Sequence, residues 1–232
     1  LIVVAIIIIA SIVGINVYAS DSYSANKTAH EALKGSKDVT VSYLDDHTIV
    51  FTPDTITAGL IFYPGGKIEY DAYAPLMMAF AENGYLCILP KMPLNLAVLS
   101  PNTASKYIDD YVTNSDYNWY IGGHSLGGAM ASNYAAKNPD VFKGVYLLGA
   151  YASSDLSDTD LDVHLIHGSN DGVLNMDNYE KDLKNLPEGY HEYVIDGGCH
   201  AYFGSYGEQD GDGTPTITNA EQIQTTVDLL AH

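Results

Sequence analysis

Gly123-His124-Ser125-Leu126-Gly127 stands between the apolar run Trp119-Tyr120-Ile121 and the small-residue stretch Gly128-Ala129-Met130-Ala131. A serine with glycine two residues away on each side, after a strand pattern and before a helix pattern, reads as a sharp turn that exposes the hydroxyl at a helix N-terminus. Side chains in place of the glycines would collide with the neighbouring strand or helix. A hydroxyl held this way is suited to nucleophilic attack if a base takes its proton and an acid orients the base. With 21 glycines in the chain the pattern also arises as an ordinary turn, so its weight depends on what lies downstream.

Two downstream strands end in the required groups. The apolar run Val163 to His167 leads into Gly168-Ser169-Asn170-Asp171-Gly172, which delivers Asp171 at a strand end. Tyr190 to Ile195 leads into Asp196-Gly197-Gly198-Cys199-His200, a glycine loop presenting His200. Open α/β sheets gather reactive groups at the carboxyl ends of their strands, so Ser125, Asp171 and His200 can converge. His200 would take the proton of Ser125, and Asp171 would hold the imidazole. Asp155 and Asp160 are alternative acids without comparable context. Cys199 beside His200 invites a cysteine-nucleophile reading, but Ser125 already occupies the turn. The oxyanion formed on attack needs two backbone N–H donors: Leu126, after the nucleophile, and one from Pro64-Gly65-Gly66-Lys67 after the strand Leu60 to Tyr63. Gly66 is the expected second donor and Lys67 the alternative.

These stretches, with Lys91 to Ala97 and His200 to Gly207, resemble the α/β-hydrolase superfamily, and within it the small cap-less group similar to dienelactone hydrolases. The resemblance runs from about Tyr43 onward. It implies a Ser125, Asp171, His200 triad and hydrolysis of an ester-like bond through an acyl-enzyme, without a cofactor. One departure is Pro64, which stands where many esterases carry histidine in an H-G-G loop.

The elements that must position these groups are legible in the pattern. Eight strands are expected: Thr40 to Leu44, Thr48 to Thr52, Ala58 to Tyr63, Tyr85 to Leu89, Asn118 to Ile121, Gly144 to Leu148, Val163 to His167 and His191 to Ile195. Strands alternating with helices predict a mostly parallel sheet covered on both faces. One helix carries Tyr73, Leu76, Met77 and Phe80 at helical spacing and stops at Asn83-Gly84. Another opens at Ser100-Pro101 and turns Ala104, Ile108, Tyr111 and Val112 inward. The helix after Ser125 ends near Lys137, before Asn138-Pro139. The last opens with the capping box Thr218-Asn219-Ala220-Glu221 and buries Ile223, Val227 and Leu230 in a structural role. The connection from Leu148 to Val163 is short and polar, so no cap domain is expected and the site should be open to small, soluble substrates.

At 232 residues the chain suits one folded domain, assigned to residues 37–232. Leu1 to Val17 is almost unbroken Ile, Val, Leu and Ala, so residues 1–19 are expected as a membrane anchor, or as a signal peptide cleaved after Val17-Tyr18-Ala19. Residues 20–36 are expected as a polar stem, with Thr28 to Glu31 opening a short helix, and the domain is expected outside the cytoplasm. Ten basic against 29 acidic residues give a net charge of −19, which disfavours nucleic acid as a partner and leaves the N-terminal segment as the one expected membrane contact. Cys87, inside a strand, and Cys199 are not expected to pair.

Other candidate sites are weaker. His164 and His167, an odd number of positions apart on one strand, point to opposite faces, so no metal is expected there. Asp210-Gly211-Asp212-Gly213 looks like the start of a calcium loop, but Thr214 and Pro215 break the pattern and Glu221 is explained by the capping box. Lys67 could meet a substrate carboxylate, although a surface lysine on a loop explains it better. Tyr202, Phe203 and Tyr206 could wall a substrate pocket. The expected activity is that of a serine carboxylesterase on small esters. Thioesterase, lactonase, peptidase or acyltransferase chemistry shares the same triad, and a tethered binding protein that keeps the fold without chemistry is the rival from another class.

Overall fold

The computed structural model describes Gly14 and residues 21–231. The expected anchor or signal peptide, residues 1–19, lies outside them apart from Gly14. Among the described residues no helix is long and apolar enough to cross a membrane.

Eight strands form one sheet: β1 (Val39–Asp45), β2 (Thr48–Pro53), β3 (Ala58–Tyr63), β4 (Tyr85–Pro90), β5 (Asn118–His124), β6 (Gly144–Leu148), β7 (Asp162–Gly168) and β8 (His191–Ile195). Their spatial order is β1-β2-β4-β3-β5-β6-β7-β8. The β1–β2 and β2–β4 pairs are antiparallel and all others parallel. The central strands are apolar throughout because both faces are covered. On β3, Leu60 and Phe62 join the core on one side, and Ile61 and Tyr63 the core on the other.

Helices α1 (Lys27–Ala32), α2 (Ala74–Glu82) and α5 (Asn219–Leu230) pack on the first face, burying Ala29, Leu76, Met77, Phe80, Ile223, Val227 and Leu230. Helices α3 (Leu126–Lys137) and α4 (Met176–Asp182) cover the second face through Ala131, Tyr134, Ala135 and Tyr179. The expected capping box of α5 is present, Glu221 N–H donating to Thr218 Oγ1 (3.2 Å) and Thr218 N–H to Glu221 Oε2 (2.7 Å). Between β6 and β7 the chain carries no helix, strand or inserted domain.

Three stretches differ from the sequence reading. Residues 21–36, expected as a polar stem, fold onto the domain: Tyr23 N–H donates to the Lys67 carbonyl (2.7 Å) and Asn26 N–H to the Ser205 carbonyl (2.9 Å), while Ala29 is fully buried. The helix expected from Pro101 is broken up. The Tyr63 hydroxyl takes the Ala104 N–H (2.7 Å) and donates to the Pro101 carbonyl (3.0 Å), so only Ser105–Tyr107 is α-helical before a π-helical turn, Ile108–Val112. Helix α4 was not anticipated; Asn175 caps it by accepting from Asn178 N–H (2.8 Å).

Candidate active site

Ser125 sits between the last residue of β5 and the first of α3 with φ 52° and ψ −123°, a strained conformation for a residue with a side chain. Its N–H donates to the Leu148 carbonyl at the end of β6 (2.9 Å), and its carbonyl accepts from Ala129 in the first turn of α3 (3.1 Å). The turn is too tight for a side chain beside it: a Cβ on Gly123 would stand 2.5 Å from the Gly127 carbonyl carbon. The strain is therefore held in place by a strand end on one side and a helix start on the other.

The acid and the histidine meet as a sealed pair. Asp171 Oδ2 accepts from His200 Nδ1 at 2.8 Å, with both side chains about 1% exposed. The other oxygen, Oδ1, accepts from the N–H groups of Val173 (3.0 Å) and Leu174 (2.8 Å), so the carboxylate is fixed in its own loop. Held through Nδ1, His200 keeps Nε2 as its working nitrogen; Nε2 is buried and bonded to nothing among the described residues. Gly149 lies against this pair with φ +51°, and a Cβ there would come within 2.9 Å of His200 Nδ1. Cys199, next door, is held by Gln222 of α5, which accepts from its N–H (2.9 Å) and donates to its carbonyl (2.8 Å). Burial and then the charge of Asp212 push the Cys199 thiol up to about 12, so it is not a thiolate nucleophile near neutral pH.

The loop after β3 is equally constrained. Gly65 N–H donates to the Tyr73 hydroxyl (3.0 Å) and Lys67 N–H to the Asn95 carbonyl (2.8 Å). Among the described residues no acceptor reaches the N–H of Gly66, which packs against Leu126, itself the first residue of α3 with an N–H that the helix leaves open. Lys67, Leu94 and Asn95 all adopt positive φ here, so with Ser125 every such non-glycine residue described lies at the turn or in the loops that support Gly66. Beneath the loop, the Tyr73 hydroxyl also bonds His124 Nδ1 (2.7 Å), and the His124 ring packs against His200, tilted at 48° with centroids 4.4 Å apart. Burial, reinforced by the charge of His200, holds His124 well below its ordinary value and keeps it neutral beside its neighbour.

The alpha/beta hydrolase family profile matches residues 59–224, more than half of the chain and a span that includes Ser125, Asp171 and His200. The chain belongs to the alpha/beta hydrolase family. No curated protein matches it in sequence. Among solved structures it is similar to a predicted CIB-like hydrolase from Thermoplasma acidophilum, at 17% identity over 83% of this chain and 98% of that one, with a TM-score of 0.59. It is similar also to dienelactone hydrolase from Anabaena variabilis, at 16% identity over 82% and 94% of the two chains and a TM-score of 0.58. An alpha/beta hydrolase enzyme from lagoon-sediment metagenome gives 17% identity, 82% and 95% coverage and a TM-score of 0.58.

In this alpha/beta hydrolase Ser125 and His200 open onto one cavity of about 230 Å3, whose walls include Leu126, Ala129, Tyr151, Val173, Leu174 and Asn175. The residues expected to wall a pocket lie elsewhere. Tyr202 faces a separate cavity with Cys199 and Asp212. Phe203 is fully buried against His124 (5.6 Å between centroids), and Tyr206 is buried against Tyr23 (5.6 Å). Lys67 gives its N–H to Asn95 and its ammonium to Asp21 (3.1 Å), so it neither offers the second backbone donor nor faces the cavity. The aromatic residues are displaced for one reason: after His200 the chain turns into the core as a 3-10 helix, Ala201–Phe203, instead of running along the rim.

Two supporting residues escaped the sequence reading. Asp212, taken from the discarded calcium-like stretch, accepts N–H bonds from Gly172 (3.1 Å), His200 (3.1 Å), Ala201 (2.8 Å) and Gly213 (2.8 Å) and so ties the Asp171 loop to the His200 loop. Gln222, in a helix assigned only a structural role, carries a fully buried polar side chain, and that was its signal: an amide beside the buried Ile223 needs partners.

Proposed function

We propose that the protein is a serine hydrolase that cleaves carboxylic-ester-type bonds of small substrates. The observation that carries this reading is the sealed Asp171–His200 pair, which leaves Nε2 buried and unbonded on a residue that lines the same cavity as the strained Ser125. In the reaction His200 Nε2 takes the Ser125 hydroxyl proton as Oγ bonds to the acyl carbon. The oxyanion is met by the N–H groups of Leu126 and Gly66. The intermediate collapses by expelling the alcohol, which leaves with the proton from Nε2. Water then attacks the acyl-enzyme with His200 as base, releasing the acid and restoring Ser125. Asp171 stabilises the imidazolium in both halves. The cavity volume and its small apolar wall residues, Ala129, Ala150 and Val173, favour short acyl groups over long chains.

Intact-mass analysis after a fluorophosphonate probe tests the proposal. One stoichiometric adduct is expected on the parent protein and none on Ser125→Ala; an adduct on both, or on neither, overturns it. Turnover of short-chain p-nitrophenyl esters should exceed that of long-chain micellar ones, and the reverse preference would remove the small-substrate assignment. From the apolar run Leu1 to Val17 we also place the domain outside the cytoplasm, tethered or secreted. Recovery of the full chain solely from cytosol would overturn that placement.

A further inference from the structure

At the far end of the sheet from Ser125, β7 begins with Asp162 and His164, two residues apart and therefore on one face. Across the parallel ladder His164 is in register with His191, the first residue of β8. His164 Nε2 lies 3.0 Å and His191 Nε2 3.6 Å from the same oxygen, Asp162 Oδ1, and the ligating atoms of the three residues all lie within 4.8 Å of one another.

We propose that Asp162, His164 and His191 form a binding site for one divalent transition-metal ion of the zinc class. The donors are two imidazole nitrogens and a carboxylate oxygen, a set that suits zinc and cobalt and leaves the all-oxygen preference of magnesium and calcium unmet. With metal–ligand bonds of about 2.0–2.1 Å, the edge of a tetrahedral site is roughly 3.3 Å. The two distances to Asp162 Oδ1 bracket that edge. His164 is buried against the edge of Tyr146 (centroids 5.6 Å, 89°), which fixes one imidazole in place. His191 is half exposed and stacks over His164 at 4.6 Å and 24°. Both Nε2 atoms already stand near Asp162 Oδ1, and binding turns the solvent-facing His191 ring the rest of the way toward the ion. The exposed sides of Asp162 and His191 leave the fourth position to water. The ion would pin the amino end of the edge strand β8 to β7. The sequence reading set His164 against His167, on the opposite face; the partners that matter come from two residues upstream and from the next strand.

The test uses the full chain, stripped with a chelator and titrated with cobalt(II). One equivalent is expected to give the visible absorption bands of a four-coordinate nitrogen and oxygen site, displaced by zinc and untouched by excess magnesium or calcium. His191→Ala, at an exposed position that leaves the fold intact, should weaken cobalt binding more than tenfold, as should Asp162→Asn. His200→Ala should bind cobalt like the parent. Absence of the bands, binding undiminished in His191→Ala, or loss in His200→Ala alone overturns the proposal. None of these readouts depends on ester turnover.

Discussion

Strand β7 carries a carboxylate–histidine arrangement at each end, and the two are wired through opposite ring nitrogens. Past its carboxyl end Asp171 holds His200 by Nδ1, the pair is sealed from water, and Asp171 is saturated by two backbone N–H groups. At its amino end Asp162 is approached by His164 and His191 through Nε2, and both it and His191 are open to solvent. A pair joined through Nδ1 leaves its outer nitrogen for work on something else, which suits proton transfer. Two imidazoles whose outer nitrogens converge on one oxygen define a point in space, which suits a cation. The same residue types thus do different chemistry because of which nitrogen is tied and how much water reaches it.

The largest effect separates the two ends. His200→Ala should lower kcat by about 10⁴-fold or more, since base and acid are lost together. Asp171→Asn should cost about as much by presenting the wrong tautomer of His200. Steady-state kinetics check both, and a loss below tenfold in either variant would show that the sealed pair is not the proton relay. Cobalt titration of these variants should match the parent, which keeps the two ends independent.

The next effect concerns what seals one end and not the other. Asp212 bridges the two loops of the sealed pair through three backbone N–H bonds and takes a fourth from Gly213, and no comparable clamp serves Asp162 among the described residues. Burial raises the Asp212 carboxyl, but the N–H groups of Ala201, Gly172, His200 and Gly213 together hold it below its ordinary value. Its stabilisation is therefore fully present above the unfolded carboxylate value of about 3.9 and is lost as pH falls through the lower folded one. Asp212→Asn should cost about 2 kcal/mol, allowing for its partial exposure, and should flatten the acid limb of stability below about pH 4. Thermal melts across pH 3 to 7 check this; an unchanged acid limb would assign the loss of stability to other carboxylates.

Much of this was legible from pattern. All eight strands, the turn at Ser125 and the strand ends bearing Asp171 and His200 follow from short apolar runs broken by glycine turns, which are local signals. The clamps were not legible, because they join residues far apart in sequence: Asp212 to Gly172, Gln222 to Cys199, Tyr63 to Ala104. Nor was the Asp162, His164, His191 cluster, which depends on the register between β7 and β8 rather than on either strand alone. Pocket walls failed for a third reason. Tyr202 and Phe203 follow His200 directly, but the fold sends the chain inward at that point, and the lining comes instead from the β6–β7 connection and the loop after Asp171.

The smallest expected effect lies under the sealed end, where Tyr73 joins the Gly66 loop to the packed rings of His124 and His200. Its hydroxyl accepts from Gly65 N–H and bonds His124 Nδ1, all within a fully buried shell. Because it accepts from Gly65, the hydroxyl's own proton is directed to His124 Nδ1, which fits the neutral imidazole that burial enforces. Tyr73→Phe leaves the ring in place and removes only this link. Gly66 N–H then loses its fixed aim at the developing oxyanion, while Ser125 and His200 keep their own supports on β6 and Asp171. Tyr73→Phe should therefore lower kcat about tenfold, or about 1.4 kcal/mol, with KM little changed. Slow-turnover and fast-turnover esters should suffer alike, since the oxyanion forms in both. An unchanged kcat with a raised KM would show instead that Tyr73 shapes the cavity and that Gly66 is held by its packing on Leu126 alone.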